Sequence, residues 1–264
     1  MRFGMPTLVE YASIEDNVQL CRRLGLHFVE LNMNLPICLP EILSPSAIRS
    51  YTERYGIHFS VHLPEELDVT SYHPSIRSGH LKRCEQTMEW ANRSGIRTLT
   101  MHLNNGIYFT LPNSKVWINE RYEEMYLELL LKSYAELYRL AKSYGVDLCI
   151  ENTGNFQLPF VGRALELLSA SPNFRLTWDV GHDAKAGFAE KEVFDRYRSR
   201  VRHMHLHDYN GKSDHQPLYK GVVPLGDRLS LAREHDWTVV IEVKTADSLT
   251  ESVEALRQRG FIDF

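Results

Sequence analysis

Four times along this chain, a stretch with helical patterning closes on a glycine and passes at once into a short β-rich run. The junctions are RRLG into LHFVEL, ERYG into IHFSVHL, NRSG into IRTLTMHL and KSYG into VDLCIEN. Gly25, Gly56, Gly95 and Gly145 suit the left-handed residue that ends a helix before a tight turn into a strand. Helix followed by strand, repeated, means a parallel sheet. The clearest helix lies within 120–144, where Leu127, Leu130, Leu131, Tyr134, Leu137 and Tyr138 recur at spacings of three and four and are expected to face the core. Further strands are expected at 174–180, 201–208 and 238–243, with helices near 162–170, 188–199, 225–235 and 246–259, and residues 2–5 supply a first strand. Eight such units in 264 residues match the count and length of one closed (β/α)₈ barrel of about 250 residues. An open doubly wound sheet should show a glycine-rich phosphate turn after its first strand, and none is present. A single α/β TIM-barrel domain over 1–264 is therefore expected, with long site-building segments near 32–44, 63–75 and 104–119.

Side chains two apart on a strand share a face, so alternation tells inside from outside. In the third strand Phe59, Val61 and Leu63 oppose His58, Ser60 and His62; in the fourth, Leu99, Met101 and Leu103 oppose Thr98, Thr100 and His102. The fifth sets Leu148 and Ile150 against Cys149 and Glu151, and the sixth sets Leu176, Trp178 and Val180 against Thr177 and Asp179. The seventh sets Met204 and Leu206 against His203, His205 and His207, and the eighth sets Val239, Ile241 and Val243 against Val240 and Glu242. Glu30 falls on the same side of the second strand as Phe28. The apolar faces belong under the helices; the ionisable faces belong inside the barrel. One strand-end histidine usually just finds a local hydrogen-bond partner. Six successive strands with inward His or carboxylate groups are a different matter, because unpaired charges buried together cost several kcal/mol each and need a compensating partner. A cation is the simplest partner for carboxylates and imidazoles. His27, His58, His73, His80 and His235 keep the ordinary structural reading.

Composition narrows the partners. With 30 Lys and Arg against 34 Asp and Glu, the net charge of -4 offers no general attraction for polyanions, so nucleic acid is disfavoured as a partner. Cys21, Cys38, Cys84 and Cys149 show no paired spacing, which argues against a zinc knuckle or a disulfide framework and for a reduced, cytoplasmic setting. No apolar stretch reaches 18 residues, so no membrane span is expected. Oligomeric state is left open, a homo-oligomer included.

The segments SVHLP at 60–64, MHLNNG at 101–106, IENTG at 150–154, WDVGH at 178–182, HMHLHD at 203–208 and VIEVK at 240–244 together resemble the xylose-isomerase-like barrel superfamily, which holds sugar isomerases and epimerases together with endonuclease IV. The resemblance to the sugar-processing branch implies a metal held by Glu151, Asp179, His205 and Glu242. Three oxygen-donor residues and one imidazole favour Mn²⁺, with Zn²⁺, Mg²⁺ or Co²⁺ permitted. It further implies that Glu151 and Glu242 flank the reacting carbon of a small sugar-like carbonyl compound and exchange its proton through an enediolate, giving isomerisation, epimerisation or a related elimination. His62, His102, His182 and Trp117 are then candidate substrate contacts. Two departures separate the chain from ketose 3-epimerases: Gln157 stands where they carry a second glutamate, and Tyr209–Lys212 offers no counterpart to their arginine. The resemblance to endonuclease IV implies instead three zinc ions and a phosphodiesterase acting on DNA. That reading adds His62, His102, His182 and His215 as metal ligands, with Ser213 at the position of the remaining aspartate and Asp214 beside it.

Overall fold

The computed structural model describes residues 1–262, so the last two positions of the expected domain lie outside the described residues. Its strands in chain order are β1 (Arg2–Pro6), β2 (Phe28–Asn32), β3 (His58–His62), β4 (Thr98–His102), β5 (Tyr108–Leu111), β6 (Ser114–Trp117), β7 (Asp147–Glu151), β8 (Arg175–Asp179), β9 (Val201–Leu206) and β10 (Thr238–Ile241). The α-helices are α1 (Ile14–Arg23), α2 (Pro45–Tyr55), α3 (Pro74–Ser94), α4 (Ile118–Arg121), α5 (Glu123–Tyr144), α6 (Pro159–Ser169), α7 (Val180–Lys185), α8 (Lys191–Arg196), α9 (Leu225–Glu234) and α10 (Ala246–Gln258).

The glycine junctions work as the sequence requires. Helices α2, α3 and α5 each end on a left-handed glycine, with φ of 70° at Gly56, 79° at Gly95 and 64° at Gly145, and the next strand begins within a few residues. Helix starts are fixed by side chains: Ser13, Ser44 and Thr245 each accept a hydrogen bond from the backbone N–H of the first helical turn, as helix N-caps do. Eight parallel strands close into a barrel in the order β1-β10-β9-β8-β7-β4-β3-β2. The predicted alternation holds. Val61, Leu99, Met101, Ile150, Leu176, Trp178, Met204 and Ile241 are buried in the layer between strands and helices, while Ser60, Thr100, Glu151, Thr177, Asp179, His203 and His205 are buried on the other face. Trp178 stacks on Phe194 of α8 with ring centroids 4.6 Å apart, tying the strand that carries Asp179 to the helical layer. Truncating so large a buried ring costs about 3–5 kcal/mol, so Trp178→Ala should strongly destabilise this side of the barrel.

The structure corrects several local expectations. Leu131 is exposed rather than core-facing, because Leu130 beside it already occupies the inward position. The helix expected at 188–199 shrinks to α8, and α7 springs directly from the end of β8, capped by Asp179 itself. The segment 104–119 is built rather than irregular: β5 and β6 form an antiparallel hairpin outside the barrel, followed by α4. Glu242 lies one residue beyond β10, where its backbone N–H still donates to the Leu206 carbonyl at 2.9 Å. No described helix is long and apolar enough to cross a membrane.

Candidate metal centre

Register places the acidic groups side by side. Glu151 stands level with His102 on one neighbouring strand and Thr177 on the other, and His205 stands level with Asp179 and Val240. One donor atom from each of Glu151, Asp179, His205 and Glu242 lies within 4.8 Å of the other three. The centre of the group is Nδ1 of His205, which donates to Oε1 of Glu151 at 2.7 Å and lies 3.1 Å from Oε2 of Glu242. All four side chains are buried or nearly so, Glu242 being the most open at 15%.

Burial alone would push the Glu151 carboxyl up, but His205, His102 and His62 around it hold it well below the usual carboxylate range. Glu242 is likewise held down against its burial, by His205 first and then by His215 and Lys244. The His205 imidazole is driven the other way: burial lowers its pKa, and the charges of Glu151, Glu30 and Glu242 raise it well above the ordinary value. Protonated His205 thus answers part of the charge that these carboxylates carry. The donor set of three carboxylates and one imidazole in a shared pocket suits a divalent cation, which would neutralise more of that charge than a proton does.

Around this group are two histidine-rich flanks. On one side His62 Nε2 donates to Oε2 of Glu151 at 3.1 Å and His102 Nε2 lies 3.4 Å from the same oxygen. Burial would lower the His62 pKa, and the hydrogen bond and charge of Glu151 raise it to about 9. Both histidines face the site. On the other side donor atoms of His182, His207 and His215 fall within 4.8 Å of one another. These three do not aim at one point, since the His207 and His215 rings stack at 4.1 Å and 11°, and imidazole lone pairs lie in the ring plane. His207 is also committed elsewhere: Nε2 sits 3.0 Å from Oδ1 of Asp179, and Nδ1 accepts the His215 backbone N–H at 2.8 Å. Gly181 makes this possible, because a Cβ there would lie 2.0 Å from the His207 ring. Asp214, rather than Ser213, approaches the flank, with Oδ1 3.4 Å from His215 Nδ1, Oδ2 4.0 Å from His182 Nε2 and Lys185 Nζ 2.7 Å from the same Oδ2.

A cavity of about 730 Å³ opens above these groups, lined by His102, Tyr108, Trp117, Gln157, His182 and Lys185 among others. Tyr108 and Trp117 meet edge to face at 5.0 Å across the β5–β6 hairpin and form one wall. Phe109, next to Tyr108 on β5, points to solvent, since alternation puts it on the opposite face of the strand.

Residues 18–259 match the model of the xylose isomerase-like TIM barrel family. The chain belongs to that family. Among curated relatives, the uncharacterized protein MJ1614 of Methanocaldococcus jannaschii is 23% identical over 214 residues, covering 78% of this chain and 79% of the relative. Among solved structures, a D-tagatose 3-epimerase-like protein superposes with a TM-score of 0.79 at 23% identity, covering 98% of this chain and 96% of the other. The TTHB071 protein from Thermus thermophilus, soaked with ZnCl₂, does so with a TM-score of 0.68 at 24% identity, covering 98% and 99%. At these identities the superpositions show the fold of the family and leave the reaction to the residues.

Within this xylose isomerase-like barrel, sequence reasoning misses the residues that hold the ligand-bearing strand ends. Asn152, fully buried, accepts the Asp179 backbone N–H through Oδ1 at 2.7 Å and donates through Nδ2 to the Asp179 carbonyl at 2.9 Å and to Oε2 of Glu190 at 2.6 Å. Glu190 in turn accepts the Phe156 N–H at 2.7 Å. This clamp fastens the end of β7 to the end of β8, immediately beside Glu151 and Asp179. The only hint in the sequence is that Asn152 follows Glu151 and so faces away from the barrel axis, where an amide needs polar partners.

Proposed function

We propose that this chain is a metal-dependent isomerase or epimerase, or a closely related lyase, acting on a small sugar-like carbonyl compound. The observation that carries the reading is the pair of carboxylates, Glu151 and Glu242, brought from separate strands to 2.7 and 3.1 Å from the same imidazole nitrogen. Two carboxylates so placed can act on one carbon from two sides. One removes the proton next to the carbonyl and the other returns a proton, passing through an enediolate. Asp179 and His205 complete the donor set that would hold the ion with Glu151 and Glu242. Mn²⁺ is favoured by three carboxylates and one imidazole, and Zn²⁺, Mg²⁺ and Co²⁺ satisfy the same ligands. When bound, the ion supplies Lewis-acid stabilisation of negative charge developing on the substrate oxygens.

The remaining residues bind and orient. His102 and His182 line the cavity and, with His62 against Glu151, offer polar contacts to substrate hydroxyls, and Trp117 with Tyr108 gives a sugar ring an apolar wall and keeps water from the reacting carbon. The segment 104–119 acts as the cover of the cavity. Residues 1–264 act as one catalytic domain in a reduced, cytoplasmic setting, with a homo-oligomer compatible with the fold. The D-tagatose 3-epimerase-like neighbour supports the class of reaction, and the zinc-soaked neighbour supports a metal in this fold.

A second reading, a multi-zinc phosphodiesterase acting on DNA, draws on the approach of Asp214 to His182 and His215, which supplies an acidic group beside Ser213. Against it stand the stacked rings of His207 and His215 and a net charge of -4. Incubating the manganese-loaded protein with a panel of free ketoses and aldoses in D₂O separates the two. Deuterium entering the carbon next to the carbonyl supports the isomerase. No exchange on any sugar, together with cleavage of a phosphodiester, would replace it with the second reading.

A further inference from the structure

We infer that Glu30 is a positioning residue that sets which nitrogen of His205 faces the metal, a role resting on the reading that Glu151, Asp179, His205 and Glu242 hold an ion. Glu30 comes from β2, across the barrel from β9, and is 2% exposed. Its Oε1 lies 2.8 Å from Nε2 of His205, an ion-pair contact too bent for a hydrogen bond in the metal-free ring, on the far side of the ring from the carboxylates of the mouth. Its Oε2 accepts Ser60 Oγ–H at 3.0 Å and His203 Nε2–H at 3.0 Å, and His203 is itself braced by Thr238 Oγ1 at 2.6 Å from Nδ1. The carboxylate therefore cannot swing away from His205 without breaking buried contacts on its other oxygen.

A neutral imidazole carries one N–H, and the nitrogen without it is the one that can ligate. When a cation displaces the Nδ1 proton, the carboxylate held against Nε2 keeps the remaining proton there, and Nδ1 presents its lone pair toward the side of Glu151 and Glu242. Metal-ligating histidines generally give their other N–H to such a partner, and removing it typically costs 10–100-fold in metal affinity. Asp179 has a corresponding brace from His207, so the two ligands from adjacent strands are each oriented by a group outside the four-residue set.

The test uses Zn²⁺ alone as probe, titrated into metal-free wild type and Glu30→Gln against a chromophoric chelator, with ¹⁵N spectra of the histidines recorded at saturation. The expected result is a wild type that binds Zn²⁺ through Nδ1 of His205 with Nε2 protonated, and a Glu30→Gln protein whose affinity falls about 10–100-fold while the His205 signals show loss of the single tautomer. A merely structural role would lower thermal stability yet leave the wild-type tautomer pattern in the zinc-bound variant. Should Glu30→Gln fail to fold, the wild-type spectrum still decides: zinc on Nε2 overturns the inference. Unchanged affinity in a folded Glu30→Gln protein overturns it too, with the metal reading intact. Absence of Zn²⁺ binding by the wild type overturns both.

Discussion

The floor and the mouth of the barrel both bury carboxylates, and they neutralise them differently. At the floor a single carboxylate, Glu30, is met by Ser60, His203 and His205, and Thr100 and Thr177 close on each other through a 2.9 Å hydroxyl contact. At the mouth three carboxylates, Glu151, Asp179 and Glu242, gather around one imidazole nitrogen, while further histidines reach in from both flanks. A buried polar group that finds its partners within the fold is a structural element. A buried group of acids whose donor atoms lie within 4.8 Å of one another, and whose partners are mostly imidazoles that can give up their protons, is built to take a cation from outside. His205 joins the two regions, with Nε2 toward the floor and Nδ1 toward the mouth.

Breaking the mouth should have the largest effect. Replacing Glu151 or Glu242 with Gln keeps the approximate size of the side chain and removes its charge and its ability to take a proton. Turnover, followed as solvent deuterium entering substrate carbon, should fall by about 10²–10⁴-fold with little change in the fold by circular dichroism. A Gln variant that keeps its metal and exchanges at the wild-type rate would remove the proton-transfer role from that residue.

The metal-free mouth should also show itself in the pH dependence of stability. His62 has a folded-state pKa raised from 6.5 to about 9, against its burial, by Glu151. A raised pKa stabilises the fold fully below the unfolded value and loses that contribution as pH climbs through the folded one. Denaturant titrations of metal-free protein should therefore lose stability between about pH 6.5 and 9, on the order of 3 kcal/mol at most, and His62→Gln should flatten this limb. Equal pH dependence in wild type and variant would show that the His62–Glu151 contact is not charged in the folded protein.

The threonine pair of the floor, which is not hydrogen-bonded to His205, predicts the converse, an effect on stability with none on metal. Thr177→Val leaves the Thr100 hydroxyl buried without its partner and should cost about 1–3 kcal/mol of stability, and adding Thr100→Val should restore most of it. Zinc affinity should stay within about twofold of wild type in both, because neither hydroxyl is hydrogen-bonded to any of the four ligands, although Thr177 stands beside Glu151 in register. A tenfold change would show that the threonine pair is coupled to the mouth. The smallest effect belongs to the roof of the cavity: Trp117→Ala should raise KM by about fivefold, roughly 1 kcal/mol of lost apolar contact, with metal content unchanged. Deletion of 107–117 without any effect on turnover would show that the hairpin is not a cover.

Much of this is legible in the sequence because period-two alternation separates inside from outside with nothing but residue order. Glu151, Asp179, His205 and Glu242 are placed inward, on neighbouring strands, by that order alone. Alternation does not give depth, however, and Glu30 and Glu151 differ mainly in depth: Glu30 pairs with Ser60 in register and sits below Nε2 of His205, whereas Glu151 pairs with His102 above it. The hairpin carries a signal of its own in Pro112 and Asn113, turn-forming residues between two runs rich in β-branched and aromatic side chains. Adjacent Leu130 and Leu131 point about 100° apart on a helix, so the pattern of threes and fours could not admit both to the core. The pairing of His207 with His215 and the approach of Asp214 depend on how the loop after β9 folds back, a long-range fact that spacing does not encode.

Whether the mouth holds one divalent ion through Glu151, Asp179, His205 and Glu242 is decided most directly by elemental analysis of the purified chain after saturation with Mn²⁺ or Zn²⁺ and removal of free metal, alongside an Asp179→Asn, Glu242→Gln double variant. One tightly held ion per chain in the wild type, lost in the double variant, is the result expected. Close to three zinc ions per chain, or one ion retained undiminished by the double variant, would contradict it.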